Sequence, residues 1–206
     1  MADYVFSFDA SRCTGCKTCE LACKDYHDLS PQIAFRKIYE YAGGGFSQNP
    51  DGTWTQDVWC DYLSMNCNHC DNPACMKACP TGAMHRDEQG FISVDHDRCV
   101  GCKYCELACP YNVPSFNTEL GQMSKCDGCS SRVANGEQPI CVEACPLYAI
   151  DFGTVDEMEK KHGSSEWMAP LPDPSHTEPT TIFKGGATTR PGGTHAGTVM
   201  NPKEVM

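Results

Sequence analysis

Long apolar runs and an excess of basic residues are both missing from this sequence. No stretch of about 18 apolar residues occurs in the 206-residue chain, which excludes a membrane span of its own. Lys and Arg number 16 against 27 Asp and Glu, giving a net charge of -11, whereas nucleic-acid binding needs a basic surface. The same charge disfavours direct docking on anionic lipid. We therefore expect proteins or small redox carriers as partners.

Two kinds of motif are also missing. The segment Met1 to Ala10 has neither a basic stretch nor a long apolar one, so we expect no secretory signal peptide of its own. No nucleophile with its base, no phosphate-binding loop and no carboxylate pair in a defined setting is found. We therefore expect a non-catalytic chain without a substrate site.

Cysteine, by contrast, is abundant, at 17 residues. An odd number excludes a fully paired disulfide scaffold, and a chain without a secretory signal begins in a reducing compartment, so metal binding is the favoured interpretation. Sixteen of the cysteines form four groups of four: group one is Cys13, Cys16, Cys19 and Cys23; group two is Cys67, Cys70, Cys75 and Cys79; group three is Cys99, Cys102, Cys105 and Cys109; group four is Cys126, Cys129, Cys141 and Cys145. Cys60 is left over, and we interpret it as a buried, small apolar residue.

The spacing within the groups indicates the kind of metal site. Groups one and three both read C-x2-C-x2-C-x3-C, the ligand pattern of bacterial two-cluster ferredoxins, in which three thiolates bind one [4Fe-4S] cluster and the fourth reaches a second. Zinc is the alternative, because CxxC pairs also form zinc knuckles. Groups one and three are too dense for the separated pairs of a zinc site, so the spacing predicts four [4Fe-4S] clusters.

The chain contains an internal repeat. Asp9 to Cys23 and Asp95 to Cys109 are identical at 11 of 15 positions. Short strands are predicted before groups one and three and after groups two and four, and Asp87 to Gly90 reads as the turn of a hairpin. By the same logic, the strand after group four pairs with the strand before group one.

This arrangement predicts an α+β protein of two ferredoxin-like dicluster units with pseudo-symmetry, built from short strands and short helices around the clusters. Unit A combines residues 1–23 with 110–152, and unit B is residues 67–109. The predicted ligand sets are as follows: cluster a, Cys13, Cys16, Cys19 and Cys145; cluster b, Cys126, Cys129, Cys141 and Cys23; cluster c, Cys67, Cys70, Cys75 and Cys109; cluster d, Cys99, Cys102, Cys105 and Cys79.

Charged and imidazole side chains near the ligands have weaker assignments. Sixteen thiolates and four cores of about +2 each leave roughly -8, so cations near the ligands are candidates for compensation. Five basic residues qualify by sequence position: Arg12, Lys17, Arg98, Lys103 and Lys125. Ordinary solvated charge is the alternative for each of them. His69, His85 and His96 are interpreted as surface residues or as residues behind the ligands, because every cluster corner already has a cysteine.

A short helix is predicted within group two. Asn72 is its predicted cap, Pro73 suits the first helical position and Pro80 stops the helix.

Two segments lack cysteine groups. Residues 24–66 form an aromatic insertion, interpreted as a local core rather than a partner-facing patch. Residues 153–206 begin with a polar helix at Val155 to His162 and continue as a Pro- and Gly-rich tail. Such a tail is either disordered or laid on a partner surface, and we favour the partner.

With these groups in this order, the chain resembles the iron-sulfur electron-transfer subunits of molybdopterin oxidoreductases, in particular the branch that serves sulfoxide and N-oxide reductases. The resemblance lies in SRCTGCKTCELACKDY (Ser11 to Tyr26), CNHCDNPACMKACPTGAMH (Cys67 to His85), CVGCKYCELACPY (Cys99 to Tyr111) and PICVEACPLYAIDFG (Pro139 to Gly153), and in FRKIYEYAGG, KCDGC, APLP and NPKEV. It implies a heterotrimer of this chain with a molybdopterin-containing catalytic subunit and an integral membrane anchor that oxidises menaquinol. It also implies a location on the outer face of the cytoplasmic membrane, reached by export together with the catalytic subunit. In related subunits a tryptophan occupies the position of Cys102 and the cluster there is [3Fe-4S], so Cys102 implies a full [4Fe-4S] cluster.

Two other functions remain open at this stage. One is the iron-sulfur subunit of a related complex, such as formate dehydrogenase or polysulfide or thiosulfate reductase. The other is a free polyferredoxin that carries electrons between other enzymes. The aromatic insertion and the tail count against the free carrier, because a diffusing protein does not need them.

Overall fold

The computed structural model describes residues 4–205 and has the predicted α+β architecture of small sheets and short helices. The strands are β1 (Tyr4–Asp9), β2 (Lys37–Gly43), β3 (Phe46–Gln48), β4 (Trp54–Gln56), β5 (Trp59–Met65), β6 (Met84–Arg86), β7 (Ile92–Val94), β8 (Ser115–Asn117), β9 (Gln122–Ser124), β10 (Ile150–Thr154), β11 (Ile182–Lys184) and β12 (Thr198–Val199). The helices are α1 (Thr18–Tyr26), α2 (Ala74–Lys77), α3 (Tyr104–Ala108), α4 (Ser130–Ala134), α5 (Ile140–Glu143), α6 (Val155–His162) and α7 (Pro202–Val205).

The sheet of β10, β1 and β11 joins the two ends of the cysteine-bearing sequence. β1 is antiparallel to β10, with Phe6 opposite Phe152 and Phe8 opposite Ile150. This confirms the prediction that the strand before group one pairs with the strand after group four. Phe6, Phe8 and Phe152 are buried in the main core, and Val5 on the opposite face of β1 packs with Met158 and Ile182, so both faces of this strand are covered.

The hairpin between groups two and three is also confirmed. β6 is antiparallel to β7, with His85 opposite Ser93. Asp87 closes the turn because its Oδ1 accepts hydrogen bonds from the backbone N–H groups of Gln89 and Phe91, at 3.1 and 2.8 Å.

Aromatic rings from the two predicted units pack together in the main core. Phe91, from the β6–β7 region, has no exposed surface and lies 6.1 Å from Phe152, 6.3 Å from Tyr4 and 5.0 Å from His69, measured between ring centroids. The boundaries of the two units remain a prediction, but this packing holds the hairpin against the β1–β10 sheet.

The insertion contributes strands to two sheets: β2 and β5 form one together with β12 from the tail, and β3 and β4 form the other. Tyr41 and Trp59 pack in a local core, with ring centroids 5.4 Å apart, as predicted. Phe46 and Trp54 on the β3–β4 hairpin are 70% and 62% exposed, so the aromatic residues of the insertion divide between a core and a surface.

The helix predictions are met in different degrees. α6 covers the predicted Val155–His162 and begins with a capping box between Thr154 and Glu157. The details predicted for group two are wrong: Pro73, not Asn72, is the N-cap, and α2 ends at Lys77 instead of reaching Pro80. The side chain of Asn72 instead donates a hydrogen bond to the carbonyl of His176, at 3.1 Å.

The tail packs against the rest of its own chain, a contact that neither expected alternative included. β11 runs parallel to β1, with Phe183 beside Phe8, and β12 pairs with β2. The apolar residues of the tail are isolated among prolines and glycines, so composition did not reveal that Met168, Phe183 and Val205 are buried here. Contact of the tail with a partner stays a prediction.

Within residues 4–205, none of the helices has both the length and the apolar character needed to span a bilayer.

Candidate metal centres

Groups one and three form the same local structure, a loop that leads into a helix. The third cysteine of each group lies in the first turn of α1 or α3. The loop needs left-handed residues, and these occur at matching positions: Gly15 and Lys17 have φ of 68° and 60°, and Gly101 and Lys103 have 67° and 64°. A Cβ at position 15 would lie 2.3 Å from the Tyr62 ring, so only glycine fits there.

Groups two and four share a second local structure. Their third cysteines lie in the one-turn helices α2 and α5, and their fourth cysteines follow shortly after. The backbone N–H of Met84 donates to the Sγ of Cys79 at 3.4 Å, and that of Ala149 donates to the Sγ of Cys145 at 3.3 Å. Such N–H···S bonds orient a thiolate ligand and stabilise its charge.

Two partly open cavities are lined by cysteines that are distant in sequence. The lining of one includes Cys145 from group four together with three cysteines of group one: Cys13, Cys16 and Cys19. The lining of the other includes Cys79 from group two together with three cysteines of group three: Cys99, Cys102 and Cys105. These are the four-cysteine combinations predicted for clusters a and d.

Of the remaining eight cysteines, seven are buried and Cys109 is partly buried. Burial raises the pKa of Cys129 to about 12, and the thiols of Cys126 and Cys141 add to the rise. The pKa of Cys23 is raised too, first by burial and then by the same group-four thiols.

Burial likewise raises the pKa of Cys70 to about 12, with Cys67, Cys109 and Cys75 contributing. Each of these cysteines therefore lies among the partners predicted for clusters b and c.

The chemistry of these sites fits a sulfur-ligated metal cluster. At the site predicted for cluster a, the pKa of Cys13 is raised to about 11. Burial is the main cause and the neighbouring thiols add to it, while a hydrogen bond from the backbone N–H of Gly15 acts in the opposite direction. A thiol with such a pKa is neutral at pH 7 unless a metal replaces its proton. All four donors at each site are sulfur, which suits iron-sulfur clusters.

Of the five cations proposed from the sequence, only Lys125 is buried. Lys17 is paired with Glu204 at 2.6 Å and with Glu40 at 3.5 Å, so its charge is largely offset. The other three have ordinary contacts: Arg12 donates to the carbonyl of Tyr148, Arg98 donates to the carbonyl of Thr81, and Lys103 lies over the ring of Phe116.

Arg36 was not predicted from the sequence; it is 2% exposed, and thiols of groups one and four lie close enough to raise its pKa. The local sequence gave one indication that Arg36 is buried: it follows Phe35 and directly precedes the core strand β2. His27 was also missed: its Nε2 lies 3.6 Å from the Sγ of Cys129, and Asp127 completes a group whose ligand atoms lie within 4.8 Å of one another.

The three histidines singled out earlier have different surroundings. His69 is buried between two cysteines of group two, and its Nδ1 accepts a hydrogen bond from the N–H of Ile92 at 2.9 Å. Burial, with Lys125 and Arg86 nearby, lowers its pKa well below the usual value, so the ring is neutral. His85 is partly buried and His96 is exposed.

The prediction for Cys60 is wrong. Cys60 is exposed on β5, opposite Ala42, while its neighbour Trp59 is buried. The alternation of a strand explains the error, because only one of two successive side chains can face the core.

These loops, cavities and buried thiols define a ferredoxin-like iron-sulfur protein. A family model described as a 4Fe-4S dicluster domain matches residues 58–155, and one described as a 4Fe-4S binding domain matches residues 10–26. [4Fe-4S] clusters are therefore the cofactors of this chain.

Comparison with known proteins narrows this class. The B subunit of the anaerobic dimethyl sulfoxide reductase of Escherichia coli (strain K12) is 57% identical over 202 residues, covering 98% of each protein. The same subunit of Haemophilus influenzae is 51% identical over 205 residues, covering 100% of each. The thiosulfate reductase electron transfer subunit of Salmonella typhi is 38% identical over 157 residues, covering 76% of this chain and 78% of that one. The chain therefore belongs to the family of iron-sulfur B subunits of anaerobic dimethyl sulfoxide reductases.

Proposed function

We propose that this protein is the electron-transfer subunit of an anaerobic respiratory molybdoenzyme complex. Electrons pass from a menaquinol-oxidising membrane anchor, through four [4Fe-4S] clusters, to a molybdopterin-containing catalytic subunit that reduces dimethyl sulfoxide and other sulfoxides or N-oxides. The observation that carries the proposal is the identity of 57% over 98% of the chain to the B subunit of a dimethyl sulfoxide reductase. The chain itself is not the catalyst, since its cysteine sites are built to hold clusters.

The proposed ligand sets are those of clusters a to d given above. For clusters a and d, support comes from the two cavities, each lined by three cysteines of one group and one of another. For clusters b and c, support comes from the neighbouring thiols that raise the pKa of Cys23 and of Cys70.

The four proposed clusters form a chain for electron transfer, called the wire below, and their proposed order along it is a, b, c, d. Cys141 of set b contributes to the raised pKa of Cys19 in set a, and Cys67 of set c contributes to the raised pKa of Cys126 in set b. Cys105 of set d similarly contributes to the raised pKa of Cys75 in set c. Cys16 and Cys102, in the two terminal sets, are exposed, so the ends of the wire lie where a partner can reach them.

A [4Fe-4S] cluster held by each set of cysteines would supply one-electron redox chemistry. The protein's part is to hold the clusters in sequence, to exclude water from sets b and c, and to supply N–H donors such as those of Met84 and Ala149. None of these steps moves a proton or makes a bond to a substrate.

The proposed assembly is a heterotrimer with the catalytic subunit and the membrane anchor. The proposed location is peripheral, on the outer face of the cytoplasmic membrane, with export carried by the catalytic subunit. The family resemblance supports both points, and neither needs a membrane span in this chain.

Thiosulfate reduction is a second candidate, because a thiosulfate reductase electron transfer subunit is 38% identical over 76% of the chain. The same wire would then serve a catalytic subunit with a different substrate. The higher identity and the full-length match favour the sulfoxide reductase.

One purification distinguishes these functions. The chain is tagged, the complex is solubilised from membranes without oxygen, and its molybdenum content and its reduction of dimethyl sulfoxide and of thiosulfate by reduced viologen are measured. Molybdenum with dimethyl sulfoxide turnover is the expected result. Molybdenum with thiosulfate turnover alone would select the second candidate, and a preparation without molybdenum would contradict both.

A further inference from the structure

Two cations lie inside the described part of the protein, and each lies where two of the proposed cluster sites meet. Arg36 and Lys125 are 2% and 5% exposed. Among residues 4–205, neither forms an ion pair with an Asp or Glu. A buried charge without a counter-ion is strongly unfavourable, so the negative charge that balances each cation has to come from groups other than carboxylates.

Arg36 lies between sets a and b. Its guanidinium donates to the Oγ of Ser64 at 2.9 Å, and that oxygen lies 3.5 Å from the Sγ of Cys19, a ligand of set a. Phe6 covers one face, with the Cζ of Arg36 5.5 Å from the ring centroid. Two of its nitrogens, Nε and one terminal nitrogen, have no hydrogen-bond partner among the described residues.

The thiols near Arg36 belong to both sets. Burial lowers the pKa of Arg36, but Cys141, Cys19, Cys126 and Cys23 together more than offset this, and the net direction is upward. Cys141 and Cys126 belong to set b, so the guanidinium stands between the two groups of sulfur ligands.

Lys125 occupies the corresponding place between sets b and c. Its Nζ donates to the carbonyls of Ile92 and Cys126. Burial lowers its pKa, and Cys67, Cys126 and Cys75, with a smaller contribution from Asp127, together raise it by more. The side chain of Lys125 also lies within hydrogen-bonding reach of Cys67. Cys126 belongs to set b, and Cys67 and Cys75 belong to set c.

The junction between sets c and d is different. The side chains that pack around Cys75 and Cys105 are apolar, chiefly Met84, Ile92 and Met123. Within residues 4–205, no further Lys or Arg is buried. Two of the three junctions of the wire therefore contain a cation, and the third does not.

We propose that Arg36 and Lys125 are fixed counter-ions that raise the reduction potentials of the clusters on either side of them. Reduction adds one electron, and so one negative charge, to a cluster, and a cation held in a medium of low polarity stabilises that charge. Arg36 acts on clusters a and b, and Lys125 acts on clusters b and c. Cluster b receives both contributions and cluster d neither. The assignment rests on the ligand sets of the proposed function.

The test is a redox titration of the membrane-bound complex, followed by electron paramagnetic resonance, with iron content measured on each sample. In Arg36→Gln, we expect the ratio of reduced to oxidised cluster at a fixed potential to fall about tenfold for clusters a and b, which is about 59 mV for a one-electron couple. Cluster d is expected to stay unchanged. Arg36→Lys, which keeps the charge, is expected to restore most of the ratio.

Lys125 provides an independent arm. Lys125→Gln is expected to lower the ratio of reduced to oxidised cluster for clusters b and c and to leave the ratio for cluster a unchanged. Lys125→Arg, which keeps the charge, is expected to restore the ratio for clusters b and c. Arg12→Gln removes an exposed cation next to Cys13 and serves as the matched control, with a much smaller shift because water screens it. If Arg36→Gln does not retain its iron, the Lys125 variants decide the question.

Some outcomes would overturn the proposal. Unchanged potentials in variants with full iron content would do so, as would an equal shift of all four clusters, or a failure of the charge-keeping variants to restore the ratio. A wild-type complex with fewer than four [4Fe-4S] signals would instead contradict the proposed ligand sets. The two failures are therefore distinguishable.

Discussion

Replacing Phe183 with alanine tests whether the tail holds the first sheet together. Phe183 is 1% exposed, lies beside Phe8 in the parallel pairing of β11 with β1, and has its ring centroid 5.3 Å from that of Trp167. Removing a buried phenylalanine costs about 3–5 kcal/mol, because the lost contacts leave a cavity. For a protein of this size each kcal/mol lowers the melting temperature by roughly 2–4 °C. We therefore expect Phe183→Ala to lower it by about 6–20 °C.

The assay heats the cluster-loaded full chain without oxygen and follows the visible absorbance of the clusters together with far-ultraviolet circular dichroism. All variants are heated at one rate, because loss of clusters makes unfolding irreversible. Phe46→Ala is the control, since Phe46 is 70% exposed and its loss is expected to change stability by at most about 0.5 kcal/mol. If Phe183→Ala and Phe46→Ala melt together, the packing of the tail described above is wrong.

Three further predictions concern the cluster sites. Cys102→Trp is expected to convert cluster d to [3Fe-4S] and to raise its reduction potential, and four unaltered [4Fe-4S] signals would contradict the assignment of group three. Cys60→Ser is the control: it removes the exposed cysteine outside all four groups and is expected to leave the iron content unchanged. Gly128→Ala is expected to destabilise the protein by about 1–3 kcal/mol more than Gly136→Ala, because both residues have positive φ but only the Cβ at position 128 meets a side chain, the Phe91 ring at 2.6 Å; equal melting temperatures would argue against this contact. Iron loading of the apo protein under limiting iron is expected to fall as the pH is lowered from about 9 to about 7, because burial raises the pKa of thiols such as Cys70 to about 12 and each ligand must lose its proton to bind metal; an iron content independent of pH would show that these protons are not displaced.

The sequence predicted those parts of the fold that repeat or that follow a short local rule. Cysteine spacing indicated the clusters, and the repeat between group one and group three led to the pairing of β1 with β10. The helix at Val155–His162 was predictable because Thr154 and Glu157 form a capping box that involves only neighbouring residues.

The rest depends on contacts between distant residues. Arg36 lies close to cysteines of two groups only after β2 has packed against β5, so its local sequence carries little sign of that role. The packing of the tail on its own chain was not predicted for a related reason: its buried residues occur singly, and each contacts a different part of the fold. Cys60 illustrates a third limit, since the register of a strand decides which side faces outward.

The pairing of β1 with β10 bears on the order in which the protein is made. A ribosome releases β1 first, but the strand that must lie beside it emerges only after groups two, three and four have been translated. The β6–β7 hairpin, by contrast, is complete once Val94 has emerged. Domains usually fold in the order of their synthesis. The β6–β7 hairpin is therefore able to form before β1 has its partner strand, and the cysteines of group one meet Cys145, their proposed fourth ligand, only after groups two and three have been translated.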